Sequence, residues 1–66
     1  MTMYAVLRED IARMNDRIHF PVTFGEAWDR YEELSKEYKN ETFVIVKGKK
    51  VETYCGNYYY IDEFIN

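Results

Sequence analysis

Apolar residues recur at steps of three and four over the first third of the chain, where Tyr4, Leu7, Ile11, Met14 and Ile18 would share one stripe of a helix. The spacing predicts a first helix over about 3–19, with Glu9 four residues ahead of Arg13 as an exposed ion pair. His19-Phe20-Pro21 ends it, because the residue before proline avoids the helical region. Thr23-Phe24-Gly25-Glu26 then reads as a capping box, in which the Thr23 hydroxyl and the Glu26 carboxylate each satisfy a backbone N–H. A second helix follows over about 24–40, burying Phe24, Ala27, Trp28, Tyr31, Leu34 and Tyr38 and closed by Asn40. Two helices joined by so few residues are expected to pack antiparallel.

Beyond Asn40 the period becomes strand-like. Thr42-Phe43-Val44-Ile45-Val46 is β-branched and aromatic, and it stops at Lys47-Gly48-Lys49-Lys50. With Gly48-Lys49 as a tight turn, Val46 faces Val51, Val44 faces Thr53 and Phe43 faces Tyr54. A second turn at Gly56-Asn57 pairs Tyr54 with Tyr59 and Thr53 with Tyr60, while residues 62–66 suit either an edge strand or a short helical turn. The expected fold is therefore α+β: an antiparallel helical hairpin followed by a three-stranded antiparallel β-meander, with strands at about 42–47, 50–55 and 58–62. Residues 1–66 form one small domain.

A chain of 66 residues removes only about 60% of its surface from water on folding, so its stability is expected to be marginal. The single cysteine, Cys55, rules out an intrachain disulfide, and one cysteine with one histidine rules out the usual four-ligand zinc site. No cofactor is implied. The N-terminal residues lack a secretory pattern and no segment approaches a membrane span, which points to a cytoplasmic protein without membrane contact. Catalysis has little to work with. Nucleophilic chemistry would have to combine Ser35 or Cys55 with His19, the only imidazole, and adjacent carboxylates such as Glu32-Glu33 point in different directions on a helix. Gly25, Gly48 and Gly56 are isolated, so no phosphate cradle exists. The chain is read as a non-enzyme.

Three binding surfaces remain. Of seven tyrosines, Tyr54, Tyr58, Tyr59 and Tyr60 fall on adjoining strands, and tyrosine brings large contact area with few rotatable bonds. Alternation sets Tyr59 and Ile61 with Tyr54 and Phe43 on one face, and Tyr58 and Tyr60 with Val44, Val46, Val51 and Thr53 on the other. This cluster is the expected site for a protein partner, whether a second copy in a homodimer or a cellular target. The function expected is that of an accessory protein or inhibitor, the small host-directed proteins of viruses among them. The order helix, helix, hairpin also resembles a winged-helix nucleic-acid-binding domain, with Lys47, Lys49 and Lys50 at the tip of the wing. Against it, the outward face of the second helix carries Glu26, Asp29, Glu32, Glu33 and Glu37 and only Arg30 and Lys36, which repels phosphates. The third surface is that acidic stripe itself: Glu26, Asp29, Glu33 and Glu37 line one side of the helix as an acidic mimic of nucleic acid would, although Arg30 and Lys36 are placed to neutralise part of it.

Overall fold

The computed structural model of the chain describes residues 2–66; Met1, which the expected domain includes, lies outside the described residues. The elements run β1 (Met3–Arg8), α1 (Glu9–Met14), β2 (Arg17–Ile18), α2 (Phe24–Glu37), β3 (Phe43–Thr53) and β4 (Gly56–Phe64). All the strands join one antiparallel sheet in the order β1-β3-β4-β2. This corrects the helical hairpin followed by a three-stranded meander: the first segment is strand, short helix and strand, and no pair of helices packs antiparallel ahead of the sheet.

Met3 to Leu7 is an unbroken apolar run, and it becomes a strand because both of its faces are covered. Ala5 lies opposite Val46 and Leu7 opposite Val44 on one face, while Val6 lies opposite Ile45 on the other. The first face makes the main core, where Ala5, Ala12, Ile18, Val44 and Val46 are buried and Leu7, Tyr59 and Ile61 pack against them. On the second face, α2 packs on β1 and β3 with Ala27 fully buried, enclosing Phe43 and Ile45. A ladder of rings runs along that contact, with centroids 5.0 Å apart for Tyr4 and Phe24, 6.2 Å for Phe24 and Trp28, and 5.7 Å for Trp28 and Tyr31. The apparent helical stripe is thus divided. Ile18 is buried, whereas Ile11 is 41% exposed and Met14 87% exposed.

The sheet curls because residues 17–22 reach from one of its edges to the other. β2 pairs with β4 at Arg17–Tyr60 and Ile18–Tyr59. Four residues beyond Ile18, Val22 exchanges backbone hydrogen bonds with Tyr4 at 2.7 and 2.8 Å. Phe20 turns the corner at φ 55°, in the left-handed region that a non-glycine residue rarely adopts. The curl brings Ile18 over Gly48, where an added Cβ would lie 2.5 Å from Ile18 Cδ1 and 3.3 Å from the Met3 carbonyl oxygen.

Gly48 is therefore not a turn. It lies inside β3, beside a bulge: Lys47 pairs with Glu63 and Gly48 with Ile61, leaving Asp62 over. The chain reverses instead at Tyr54-Cys55, where the Thr53 hydroxyl donates to the Gly56 carbonyl at 2.7 Å and accepts from the Cys55 N–H at 3.2 Å. Gly56 leaves the turn at φ 134°, a conformation that suits glycine. The β3–β4 register accordingly sets Val51 opposite Tyr58 and Thr53 opposite Gly56, replacing the pairings expected from two tight turns. The strand continues past Asp62 to Phe64, and beyond its end the Ile65 N–H donates to the Ile45 carbonyl at 2.8 Å.

α2 starts where expected. The Thr23 hydroxyl accepts from the Glu26 N–H at 3.4 Å and donates to the Glu26 carboxylate at 2.8 Å, so that carboxylate holds the hydroxyl and not a backbone N–H. The helix ends at Glu37, with the Tyr38 N–H closing on the Leu34 carbonyl at 2.9 Å, ahead of Asn40. Glu9 and Arg13 do form their ion pair on α1, at 3.7 Å.

Gly48→Ala is expected to cost about 1–3 kcal/mol in urea denaturation, the usual range for overpacking. Adding Ile18→Val, which removes the Cδ1 atom in the way, should return part of that loss, so the double variant loses less than the sum of the two single ones.

Candidate functional site

β3 and β4 outrun their neighbours. β1 pairs with β3 only as far as Gly48, and β2 meets β4 only at Tyr59 and Tyr60, so Lys49–Thr53 and Gly56–Tyr58 continue as a two-stranded arm. Burial follows the same division, since Phe43–Val46 are buried and Lys49–Thr53 exposed. Residues directly opposite in an antiparallel ladder share a face. Lys49 with Tyr60, and Val51 with Tyr58, therefore present one face of the arm, and Arg17 joins it as the partner of Tyr60.

On that face the guanidinium of Arg17 lies 4.3 Å from the ring centroid of Tyr58 and 5.8 Å from that of Tyr60. Each such cation–π contact contributes about 0.5–1 kcal/mol at an exposed site. The guanidinium lies over the rings, and Arg17 is half-buried. Among the described residues the ion pairs are Arg8–Asp10, Arg8–Glu41 and Arg13–Glu9, so no carboxylate engages Arg17.

Of the four tyrosines singled out from the sequence, the structure brings Tyr58 and Tyr60 together. Tyr59 turns to the opposite face, across from Lys50 and Ile18, and packs against the core. Tyr54 stands apart in the turn, 101% exposed. Val51, Tyr58 and Tyr60 share a face as expected, but Val44 and Val46 fall on the core face with Tyr59 and Ile61, because the register differs. Arg17 had no signal of its own in the sequence, since only the two-residue strand β2 places it beside the tyrosines.

Lys47, Lys49 and Lys50 sit within β3 and not at a hairpin tip. Lys47 lies opposite Glu63 and Lys49 opposite Tyr60, while Lys50 faces the other way, opposite Tyr59. With Thr2, Gly48 and Asp62 they line a recess of 390 Å³ where β1 leaves the edge of β3. Glu26, Asp29, Glu33 and Glu37 are all exposed on α2. Arg30 and Lys36, placed to neutralise part of that stripe, form no ion pair among the described residues.

His19 occupies the corner after β2, and Cys55 is an exposed free thiol in the β3–β4 turn. Among the described residues no group of three His, Cys, Asp or Glu side chains could hold a metal ion, and no helix is long and apolar enough to cross a membrane. No family model matches the chain, and no curated protein or solved structure compared with it is similar enough to count as a match.

A second recess, of 330 Å³, lies at the β1–α1 junction and is lined by Arg8, Glu9, Asp10, Asn40, Glu41 and Thr42. Its groups are satisfied by one another. Arg8 meets Asp10 at 3.0 Å and Glu41 at 3.5 Å, and the Glu9 N–H donates to the Thr42 carbonyl at 2.9 Å. The hydrogen bond from Arg8 holds the Asp10 carboxyl below its ordinary pKa, helped by the Ile11 N–H. A depressed folded pKa stabilises the fold above the unfolded value, and that contribution is lost as pH falls through the folded value. Both side chains are exposed, so the effect on stability is small. Asp10 is expected to titrate below the ordinary aspartate range by NMR and to move up toward it in Arg8→Ala.

Proposed function

We propose that this chain is a non-catalytic binding module, an accessory or inhibitor protein that engages a cellular protein through the outer face of its β3–β4 hairpin. The observation that carries this reading is the Tyr58–Arg17–Tyr60 strip, in which Arg17 lies 4.3 and 5.8 Å from the two ring centroids and has no ion-pair partner among the described residues. Tyr and Arg are the residues that concentrate binding energy at protein interfaces, and side chains already held in place lose little freedom on binding. Arg17, Lys47 and Lys49 share the face with Glu63, and Asp62 borders the recess beside the lysines; three cations against two carboxylates favour a partner presenting carboxylates. Nucleic acid is a poorer fit, because the lysines are divided between two faces and α2 turns a row of carboxylates outward. A cytoplasmic setting suits the exposed free thiol of Cys55, which a reducing compartment keeps intact.

A second reading rests on α2. Glu26, Asp29, Glu33 and Glu37 carry no ion pair among the described residues, which favours the acidic stripe as a mimic of nucleic acid more than the sequence did.

Affinity capture from cell extract, followed by titration of the purified partner, separates the two. Tyr58→Ala and Arg17→Ala should each weaken binding by about tenfold or more, as hot-spot residues do, with Glu33→Lys and Glu37→Lys having no effect. The reverse pattern moves the function to α2, and a chain that captures no protein contradicts both readings.

A further inference from the structure

We infer that a second copy of this chain adds to the free edge of β3 at Lys49–Thr53, forming a two-fold dimer whose sheet runs through both molecules. The inference does not depend on a heterologous partner. Among the described residues β1 ends beside β3 at the Met3–Gly48 pair, while β4 continues along the other edge to Thr53. Among the described residues, Lys49–Thr53 have no strand paired along that edge.

The direction of the backbone groups on that stretch follows from the ladder. The Ile45 N–H donates to the Asn66 carbonyl at 3.1 Å, and the Ile45 carbonyl accepts from the Ile65 N–H at 2.8 Å, so Ile45 faces β4. Backbone groups alternate along a strand, and the bulge lies on β4 and not on β3. Lys49, Val51 and Thr53 therefore also face β4. Lys50 and Glu52 direct their N–H and C=O groups to the free edge.

A two-fold antiparallel pairing that uses those groups and keeps the Met3–Gly48 pair has two registers, one centred on Val51 and one on Glu52. Centred on Glu52, two carboxylates stand directly opposite each other, which is destabilising. Centred on Val51, Lys50 of each copy faces Glu52 of the other and Val51 faces Val51. The charges then match twice, Lys50 and Glu52 exchange backbone hydrogen bonds on both sides of the axis, and the half-exposed valines cover one another. This register ends with Lys49 opposite Thr53, next to Thr2, and leaves the Met3–Gly48 pair of the β1 ladder in place. The turn of each copy then falls at the recess of the other, and Tyr54, wholly exposed in the single chain, meets the 390 Å³ space beside Thr2 and Lys47–Lys50. Lysines on an edge strand ordinarily repel such additions. Here Glu52, two residues from Lys50, converts that guard into a self-complementary pair.

Sedimentation equilibrium on the purified chain tests this. A particle of twice the 8.0 kDa chain mass should form with rising concentration. Lys50→Glu should weaken association by about tenfold or more, since two attractive pairs become repulsive, and Lys50→Glu with Glu52→Lys should restore it by reversing both charges. Lys50 is exposed, so the single variant keeps its fold. A chain that stays monomeric up to about 1 mM, a dimer indifferent to Lys50→Glu, or a double reversal that restores nothing would each overturn the inference. Partner capture by the Tyr58–Arg17–Tyr60 strip is read separately, because neither Lys50 nor Glu52 belongs to that strip.

Discussion

Ile18 reaches the backbone of β3 at Gly48, and that approach decides where every later residue of the sheet lies. Because no side chain stands at position 48, β2 and β1 converge on one point of β3, 2.5 and 3.3 Å from where a Cβ would be. Residues 17–22 then close the distance between the sheet's edges, and the main core of Ala5, Ala12, Ile18, Val44 and Val46 forms inside the curl. β3 passes through the glycine without turning, which sends Lys49–Thr53 out beyond β1.

The binding face follows from a mismatch of lengths. α2 has 14 residues, about 21 Å at 1.5 Å per residue, whereas the 11 residues of β3 extend about 36 Å. The helix cannot cover the strand. It covers the end where Phe43 and Ile45 are buried, and α1, with 6 residues, contributes little more than Ala12 to the other side. What remains outside is the arm with Tyr58 and Tyr60, and Arg17 lies on it because β2 is paired there.

Local signals were legible where the physics is local. The Thr23 cap and the spacing from Ala27 to Leu34 marked α2, and the β-branched run Phe43–Val46 marked the start of β3. Two features were not legible. The run from Met3 to Leu7 carries apolar residues at nearly every position, so steps of three and four can be picked out of it although it is a strand buried on both faces. Gly48, among three lysines, has the composition of a turn, and only the arrival of Ile18, thirty residues earlier in the chain, shows that the glycine serves a close approach. Moving the turn to Tyr54-Cys55 kept Tyr58 and Tyr60 on a common face, which alternation alone guarantees, but exchanged their neighbours on β3 and parted Tyr54 from Tyr59, its expected partner. Arg17 could be placed only through a strand that the helical reading concealed.

The curl, the arm and the face it carries all require that β3 continue through Gly48. In an antiparallel ladder, the pairs that do not exchange hydrogen bonds bring their α-protons closest. Lys50 and Tyr59 form such a pair here. Proton NMR should therefore show a strong nuclear Overhauser effect between the α-protons of Lys50 and Tyr59. An α-proton contact between Val46 and Val51 in its place would mean that the chain turns at Gly48-Lys49 and that β3 ends there.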